Sequence, residues 1–267
     1  MLGEWLERLW TTCPPHLRDM GCLREMLGLR RRHRWFRRAW EPHCSRSRRL
    51  VLDAAGRCGR RRRAVVFGSG WLHDVPLDEL AAMFEEVILV DLFHPLAVRW
   101  RARKYRNVRL VADDVTGVLG EVWRAGFERR GSSPPSGPPG QARRLDTPPA
   151  DLAVSLNLLS QLPCMAESYL LRCRSHTSGE ILAWGRDVIR AHLAYLESLP
   201  GVVALVTDVA VRTAVRPAEK GTLFGVELPY EGETWEWSLV PGAETLRVVG
   251  VVDIKDPTCR RSPGGSA

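Results

Sequence analysis

The chain has 267 residues, of which 45% are hydrophobic, so it is long enough to bury a substantial core. No run of 18 or more apolar residues occurs, and we therefore expect no membrane as a partner. Its seven cysteines are scattered without a CxxC pair, which favours reduced thiols and a cytoplasmic location over a disulfide framework.

Positive charge is concentrated near the start of the chain. Residues 1–63 contain 17 arginines and 6 acidic residues, a net charge of +11, whereas the remainder contains 22 basic and 25 acidic residues, a net charge of −3. Such an arginine-rich segment can lie on phosphates, so nucleic acid is a secondary partner hypothesis. However, only 3 lysines accompany 36 arginines, which indicates that arginine is the general cation here, and no zinc finger or RNA-binding motif supports the hypothesis.

Residues 1–58 are predicted to form an N-terminal helical extension that acts as a lid. Apolar residues at helical spacing predict one helix before Cys13, a second over about 16–40 and a third over about 45–57. Four tryptophans of the extension are interpreted as core or lid packing, with stacking on a flat substrate as the alternative: Trp5, Trp10, Trp35 and Trp40. If the extension is a separable lid, a chain starting near Arg60 should still bind its ligand.

From residue 59 to 256 the pattern predicts one α/β domain. Buried strands are expected at 64–70, 87–91, 107–114, 151–157 and 202–208, and they alternate with helices at 76–84, 94–105, 165–174 and 185–199. This alternation predicts a mostly parallel, Rossmann-like sheet. The later segments FGVELPY, TWEWSLV and ETLRVVGVVDI predict an antiparallel edge. Pro, Gly and Ser predict a flexible loop over 128–149, and residues 257–267 are expected to be a disordered tail.

The glycine turn after the first strand and the acid after the second carry the functional prediction. AVVFGSG places Gly68 and Gly70 between a strand and a helix, where backbone can approach a ligand closely and N–H groups remain unpaired. Asp91 ends the next strand, where a carboxylate can accept both ribose hydroxyls of an adenosine. The alternative is that the glycines form an ordinary turn and Asp91 caps a helix. We favour an adenosine-containing cofactor.

With these motifs the chain resembles the class I S-adenosylmethionine-dependent methyltransferases over about residues 63–253, through VVFGSG, VILVD, VADDVTG and SLNLLSQLP in order. GSGWLHDVPL, VDLFHPLAVR and DDVTG are similar to a bacterial branch of that superfamily. The resemblance implies a seven-stranded sheet, S-adenosylmethionine as the cofactor and a small-molecule or protein methyl acceptor. It also implies a set of site residues. These are Gly68, Ser69 and Gly70 at the methionine end, Asp91 with Leu92 at the ribose, Asp113 or Asp114 at the adenine amino group, and Asn157 with Ser160 at the mouth.

Two departures from that family's pattern leave other functions open. Val66 replaces the acid that holds the cofactor's ammonium, and Leu72 replaces the third glycine of GxGxG, so Asp74 is our substitute ammonium ligand. One alternative is a non-catalytic cofactor-binding or interaction protein that kept the fold. Another is an NAD(P)-dependent oxidoreductase, although His73 replaces the third glycine of GxGxxG and no Tyr-x-x-x-Lys pair occurs.

Candidate catalytic residues are few. His73 and His94 are nearest to the motifs and are possible general bases, although a capping or surface role is the stronger interpretation, and His192 is expected on a helix surface. We predict no metal site, because the close pairs at Cys13 and His16 and at His43 and Cys44 do not supply three or four converging ligands. Asn157 is not followed by Pro-Pro-Tyr, which disfavours nucleobase substrates.

Overall fold

The computed structural model describes residues 10–127, 149–174 and 176–261. The predicted loop at 128–149 therefore lies outside the described residues apart from Pro149, as do Trp5 with most of the first predicted helix, and residues 262–267 of the predicted tail.

One sheet of eight strands forms the centre of the molecule. The strands are β1 Arg63–Phe67, β2 Glu86–Asp91, β3 Val108–Ala112, β4 Leu152–Leu156, β5 Val202–Thr213, β6 Arg216–Gly221, β7 Glu233–Val240 and β8 Glu244–Val251. Their order is β3-β2-β1-β4-β5-β8-β7, and β6 pairs with β5 off this path. Strands β1 to β5 are mutually parallel. Strand β8 lies antiparallel between β5 and β7, which confirms the predicted mostly parallel sheet with an antiparallel C-terminal edge.

Seven α-helices are described, and their limits differ from the predicted ones. They are α1 Pro15–Met20, α2 Cys22–Arg57, α3 Leu77–Met83, α4 Leu96–Ala102, α5 Leu119–Phe127, α6 Cys164–Cys173 and α7 Ser178–Ser198. Sequence periodicity missed α5 entirely. It also missed the first two turns of α7, which begin at a capping box where Thr177 and Glu180 satisfy each other's backbone N–H groups.

The inner strands are apolar on both faces, as a parallel sheet covered by helices requires. Alternate residues of β1 point to opposite sides: Val65 and Phe67 join one core cluster, and Ala64 and Val66 join the other. The first cluster packs under α1, α5, α6 and α7, and the second under α3, α4 and the latter part of α2.

Helix α2 passes from one face of the sheet to the other. Its first residues, Cys22 and Leu23, are buried in the first cluster, whereas Leu50 and Val51 are buried in the second. A helix of 36 residues is about 54 Å long, which is enough for this crossing. Two predicted helices are thus one, bent where Phe36 has a non-helical φ of −114° and continuing through Pro42. Packing on both faces stabilises the helix across a proline that removes one internal hydrogen bond.

The second half of α2 therefore belongs to the core of the domain. Its buried face comprises Trp40, His43, Cys44, Ser47, Leu50, Val51, Ala54 and Ala55. The prediction of a separable extension ending at residue 58 did not anticipate this layer, because a solvent-facing lid and a core helix have the same apolar periodicity.

The C-terminal region differs from the prediction in three places. FGVELPY contains only an isolated bridge between Tyr230 and Arg260, and the exposed strand β6 was not predicted. Residues 257–261 are not part of a disordered tail, since Asp256 caps a 3-10 helix at Pro257–Cys259 and the Arg261 N–H donates to the Pro229 carbonyl. Among the described helices none combines the length and apolarity needed to cross a membrane.

Candidate functional site

The predicted site residues meet at the carboxyl edge of the parallel strands. Strand β1 pairs with β2 on one side and with β4 on the other, so the strand order reverses at β1. Open parallel sheets bind ligands in the crevice beyond the strand ends at such a reversal point. The turn after β1, Asp91 at the end of β2, Asp113 after β3 and Asn157 after β4 all lie at this edge.

The turn after β1 contains two glycines, and only one of them lacks room for a side chain. Gly68 has a φ of +79°, and its N–H donates to the Val90 carbonyl at 3.0 Å. A Cβ atom on Gly68 would lie 2.7 Å from the Leu156 carbonyl oxygen and 2.9 Å from the Leu158 Cβ. Gly70 also has a positive φ, of +49°, but a Cβ there would meet nothing closer than 4.0 Å. The backbone of the turn therefore fits closely against β4 only at Gly68.

This difference predicts unequal effects of two alanine substitutions. Gly68→Ala is expected to lower the free energy of unfolding by about 2–5 kcal/mol, because a left-handed φ and a backbone clash add together. Gly70→Ala, the matched control, should cost about 1 kcal/mol, because only the conformational strain applies. Urea denaturation of both variants measures the difference, and equal losses would contradict the close approach of Gly68 to β4.

Asp91 connects the end of β2 to the glycine turn. Its Oδ2 accepts a hydrogen bond from the Gly70 N–H at 2.7 Å, and its Oδ1 accepts one from the Leu92 N–H at 2.8 Å. Burial raises the pKa of the Asp91 carboxyl, and both of these hydrogen bonds lower it. Each oxygen retains a further lone pair. Asp91 can therefore brace the turn and still accept hydroxyl donors from a ligand.

The two consecutive acids after β3 have different environments. Asp114 accepts hydrogen bonds from the N–H and hydroxyl of Thr116 and from the Leu119 N–H at 2.8 Å, so it caps the start of α5. Asp113 is half-buried, and its N–H donates to the Asp91 carbonyl at 2.9 Å. Of these two predicted adenine ligands, Asp114 is therefore committed to capping α5.

Ser69 and Asn157 each present a buried polar atom without a partner in the described protein. Ser69 is fully buried, and its hydroxyl makes no hydrogen bond. Asn157 has a left-handed φ of +49°, and its Oδ1 is unpaired, whereas its Nδ2 position lies 2.6 Å from the Asp74 Oδ2. Unpaired buried polar atoms are uncommon and indicate that a ligand or solvent supplies the missing bonds.

Both predicted general bases are engaged in contacts within the protein. The His94 Nε2 lies 3.0 Å from the Val111 carbonyl, to which it donates, and burial lowers the pKa of this ring. The His73 ring stacks on His33 of α2, with centroids 3.5 Å apart. Burial, reinforced by nearby cations, lowers the pKa of His73 to about 3, which makes it a weak base. His73 therefore packs against α2, and His94 is held at the end of β3.

His192 is buried, which corrects its predicted place on a helix surface. It is only 3% exposed, and its Nε2 lies 3.0 Å from the Ser155 hydroxyl of β4. Ser160 is also buried and donates to the Asp208 Oδ1 at 2.5 Å. The sequence did not single out Asp208, because an acid within a buried strand has no distinguishing local pattern.

The most informative residue that sequence reasoning missed is His43. It is 1% exposed on α2, and its Nε2 lies 3.1 Å from the Asn157 amide, while its Nδ1 accepts the Trp235 indole N–H at 3.0 Å. The Trp237 ring stacks on it at 4.0 Å. The adjacent pair His43 and Cys44 drew attention only as possible metal ligands. No group of three or more potential metal ligands occurs among the described residues.

The tryptophans of the N-terminal region divide between core and surface. Trp40 is buried and donates to the Leu239 carbonyl, but Trp10 and Trp35 are 64% and 69% exposed, so their predicted packing is wrong. Trp71, in the glycine turn, donates to the Met26 carbonyl of α2 at 2.8 Å and lies under the Arg30 guanidinium. The first half of α2 therefore covers the turn.

Comparisons with solved structures find several methyltransferases of low sequence identity. N-methyltransferase NodS from Bradyrhizobium japonicum WM9, solved with S-adenosylhomocysteine, is 15% identical, with a TM-score of 0.39 over 77% of this chain and 85% of its own. The 1,6-didemethyltoxoflavin-N1-methyltransferase from Burkholderia thailandensis is 12% identical, with a TM-score of 0.38 over 81% and 78%. A TehB-like enzyme from Corynebacterium glutamicum is 14% identical, with a TM-score of 0.33 over 75% and 85%. No family model and no curated protein sequence matches.

Strand order and pairing direction define the fold. Five parallel strands in the order β3-β2-β1-β4-β5 are followed by β8, which lies antiparallel between β5 and β7. This is a Rossmann-like α/β fold with an antiparallel C-terminal edge, as the sequence predicted, with β6 added beside β5.

Proposed function

We propose that this protein binds S-adenosylmethionine at the carboxyl edge of β1 to β4 and is a methyltransferase for a small-molecule or protein acceptor. The observation that carries the proposal is the bond between Asp91 and the Gly70 N–H, 2.7 Å long, at the point where the strand order reverses. It places a carboxylate beside a glycine turn at the position where adenosine cofactors bind in such sheets.

The residues at this edge fit the chemistry of S-adenosylmethionine. Asp91 retains acceptor capacity for a ribose diol. Asp113 is half-buried and directly follows β3, the strand next to β2. Gly68 lets the turn pack tightly against the end of β4, and the unpaired hydroxyl of Ser69 offers a donor and an acceptor. Val66, which replaces the family's acid, is fully buried in the core and cannot reach the cofactor's ammonium, so the remaining candidate is Asp74 in the same loop, whose carboxyl oxygen can accept from an ammonium even when the acid is neutral.

Catalysis would depend on alignment and exclusion of water. The bound cofactor would supply a methyl group on a sulfonium for transfer to a nucleophile. Since His73 and His94 are engaged in packing, the protein's contribution is to orient the two reactants and to keep water from them. Helix α2 supplies part of that cover through the bond from Trp71 to Met26.

Calorimetric titration tests the proposal. We expect S-adenosylmethionine and S-adenosylhomocysteine to bind with one site per chain, and NADH and NADPH not to bind. Binding of a nicotinamide cofactor alone would support the oxidoreductase alternative, which the antiparallel placement of β8 disfavours. Cofactor binding without transfer to any acceptor, in screens of small molecules and peptides, would support the non-catalytic alternative.

A further inference from the structure

A chain of buried polar groups connects helix α2 to the glycine turn. It runs from the Trp235 indole of β7 through His43 of α2 and Asn157 after β4 to Asp74 in the turn. The three distances are 3.0, 3.1 and 2.6 Å, and the last two meet at the same terminal atom of the Asn157 amide. The direction of each bond follows from which groups can donate.

The indole fixes the proton on His43. An indole N–H can only donate, so the His43 Nδ1 must accept. Burial lowers the pKa of His43 to about 3, so the ring is neutral, and its one proton is therefore on Nε2. That N–H points at the Asn157 amide and needs an acceptor there.

Only the amide oxygen can accept this bond. The assignment of oxygen and nitrogen in an amide is settled by its hydrogen-bond partners. With the oxygen towards His43, the same oxygen also lies 2.6 Å from the Asp74 Oδ2, and two acceptor oxygens at that distance require a proton between them. A distance of 2.6 Å is also typical of an O–H···O bond and short for an N–H···O bond.

We infer that His43 is a positioning residue of the proposed site, because it turns the Asn157 amide oxygen towards Asp74 and thereby keeps Asp74 as a neutral carboxylic acid. The amide NH2 then occupies the buried position without a protein partner and is the hydrogen-bonding group of Asn157 left for a ligand. This inference depends on the proposed function only for the identity of that ligand.

The surroundings of Asp74 favour its protonated form more than water does. Burial raises its pKa to about 6, with Asp91 of β2 acting in the same direction, whereas hydrogen bonds with the Asn157 amide and the Asp74 backbone, and Arg48 of α2, lower it. Cys44 of α2 is the other titratable neighbour, and burial keeps it as a thiol by raising its pKa to about 12. The charges alone do not require Asp74 to be protonated, but the hydrogen-bond chain does.

Infrared spectroscopy of the free protein tests the inference without any cofactor. Difference spectra across a pH titration should show the carbonyl band of a protonated acid that is lost in Asp74→Asn. In Trp235→Phe, His43 can move its proton to Nδ1 and accept from the amide NH2, so the band should titrate about one pH unit lower. Trp237→Phe is the matched control, because this indole stacks on His43 but makes no hydrogen bond, and the band should not move.

Two infrared results would overturn the inference. One is the absence of a band sensitive to Asp74→Asn. The other is an equal shift in the two tryptophan variants. Should Trp235→Phe fail to fold, nitrogen-15 NMR spectra of the unmodified protein still identify the tautomer of His43. The His43 signal is assigned by its loss in His43→Gln. The inference requires the tautomer protonated at Nε2, and a proton on Nδ1 would refute it.

Discussion

Replacing Asp91 by alanine is expected to weaken binding of S-adenosylmethionine by roughly 10²–10⁴-fold. Two hydrogen bonds from ribose hydroxyls to a charged acceptor contribute about 1.5–3 kcal/mol each, and every 1.4 kcal/mol is a factor of about ten in affinity. The substitution also removes the acceptor of the Gly70 and Leu92 N–H groups, so some loss of stability without ligand, on the order of 1–3 kcal/mol, should accompany it.

Asp151 provides the matched control for this loss of stability. Its Oδ2 also accepts two backbone N–H groups, those of Arg62 at 2.8 Å and Arg63 at 3.2 Å, but it lies at the amino edge of the sheet. Asp151→Ala should therefore lower stability to a similar degree and leave cofactor affinity unchanged. Calorimetry together with thermal denaturation separates the two effects. Equal affinity in the Asp91 and Asp151 variants would argue against Asp91 as the ribose ligand.

Removing residues 1–59, so that the chain starts at Arg60, is expected to abolish folding. The deletion takes away Trp40, Leu50 and Val51, each at most 4% exposed, together with the smaller residues beside them on the sheet. Burial of a large apolar side chain contributes about 1.5–3 kcal/mol, so the loss approaches the 5–15 kcal/mol that is the whole stability of a typical domain. This expectation differs from the one based on sequence alone, in which a chain starting near Arg60 still binds its cofactor.

Point substitutions in α2 test the same statement without a deletion. Val51→Asp places a charge at a position that is 1% exposed and should reduce the free energy of unfolding by more than 3 kcal/mol, on the order expected for an unpaired buried charge. Leu52→Asp puts the same acid one residue further along, at a half-buried position, and should cost clearly less. Circular dichroism in urea measures both. Similar losses would mean that α2 does not pack on the sheet as described.

Local sequence determined the parallel part of the fold and the backbone of the site. Short apolar runs separated by helices predict β1 to β5, because buried parallel strands need no alternation of apolar and polar residues. The glycine turn and Asp91 could be predicted because each directly follows or ends such a run. The strand at the exposed edge, β6, has the sequence RPAEKG and offers no apolar pattern to detect. Only its pairing with β5 makes it a strand.

Tertiary structure alone decided what the N-terminal region and the histidines do. Helical periodicity cannot distinguish a lid from a core layer, and the length and bend of α2 became apparent only when its two ends were found on opposite faces of the sheet. His43 and Asn157 are separated by 114 residues, so no sequence window contains both. Proton positions in a buried chain depend on every member at once. Trp235, His43, Asn157 and Asp74 therefore acquire their meaning only when the fold brings them within hydrogen-bond distance.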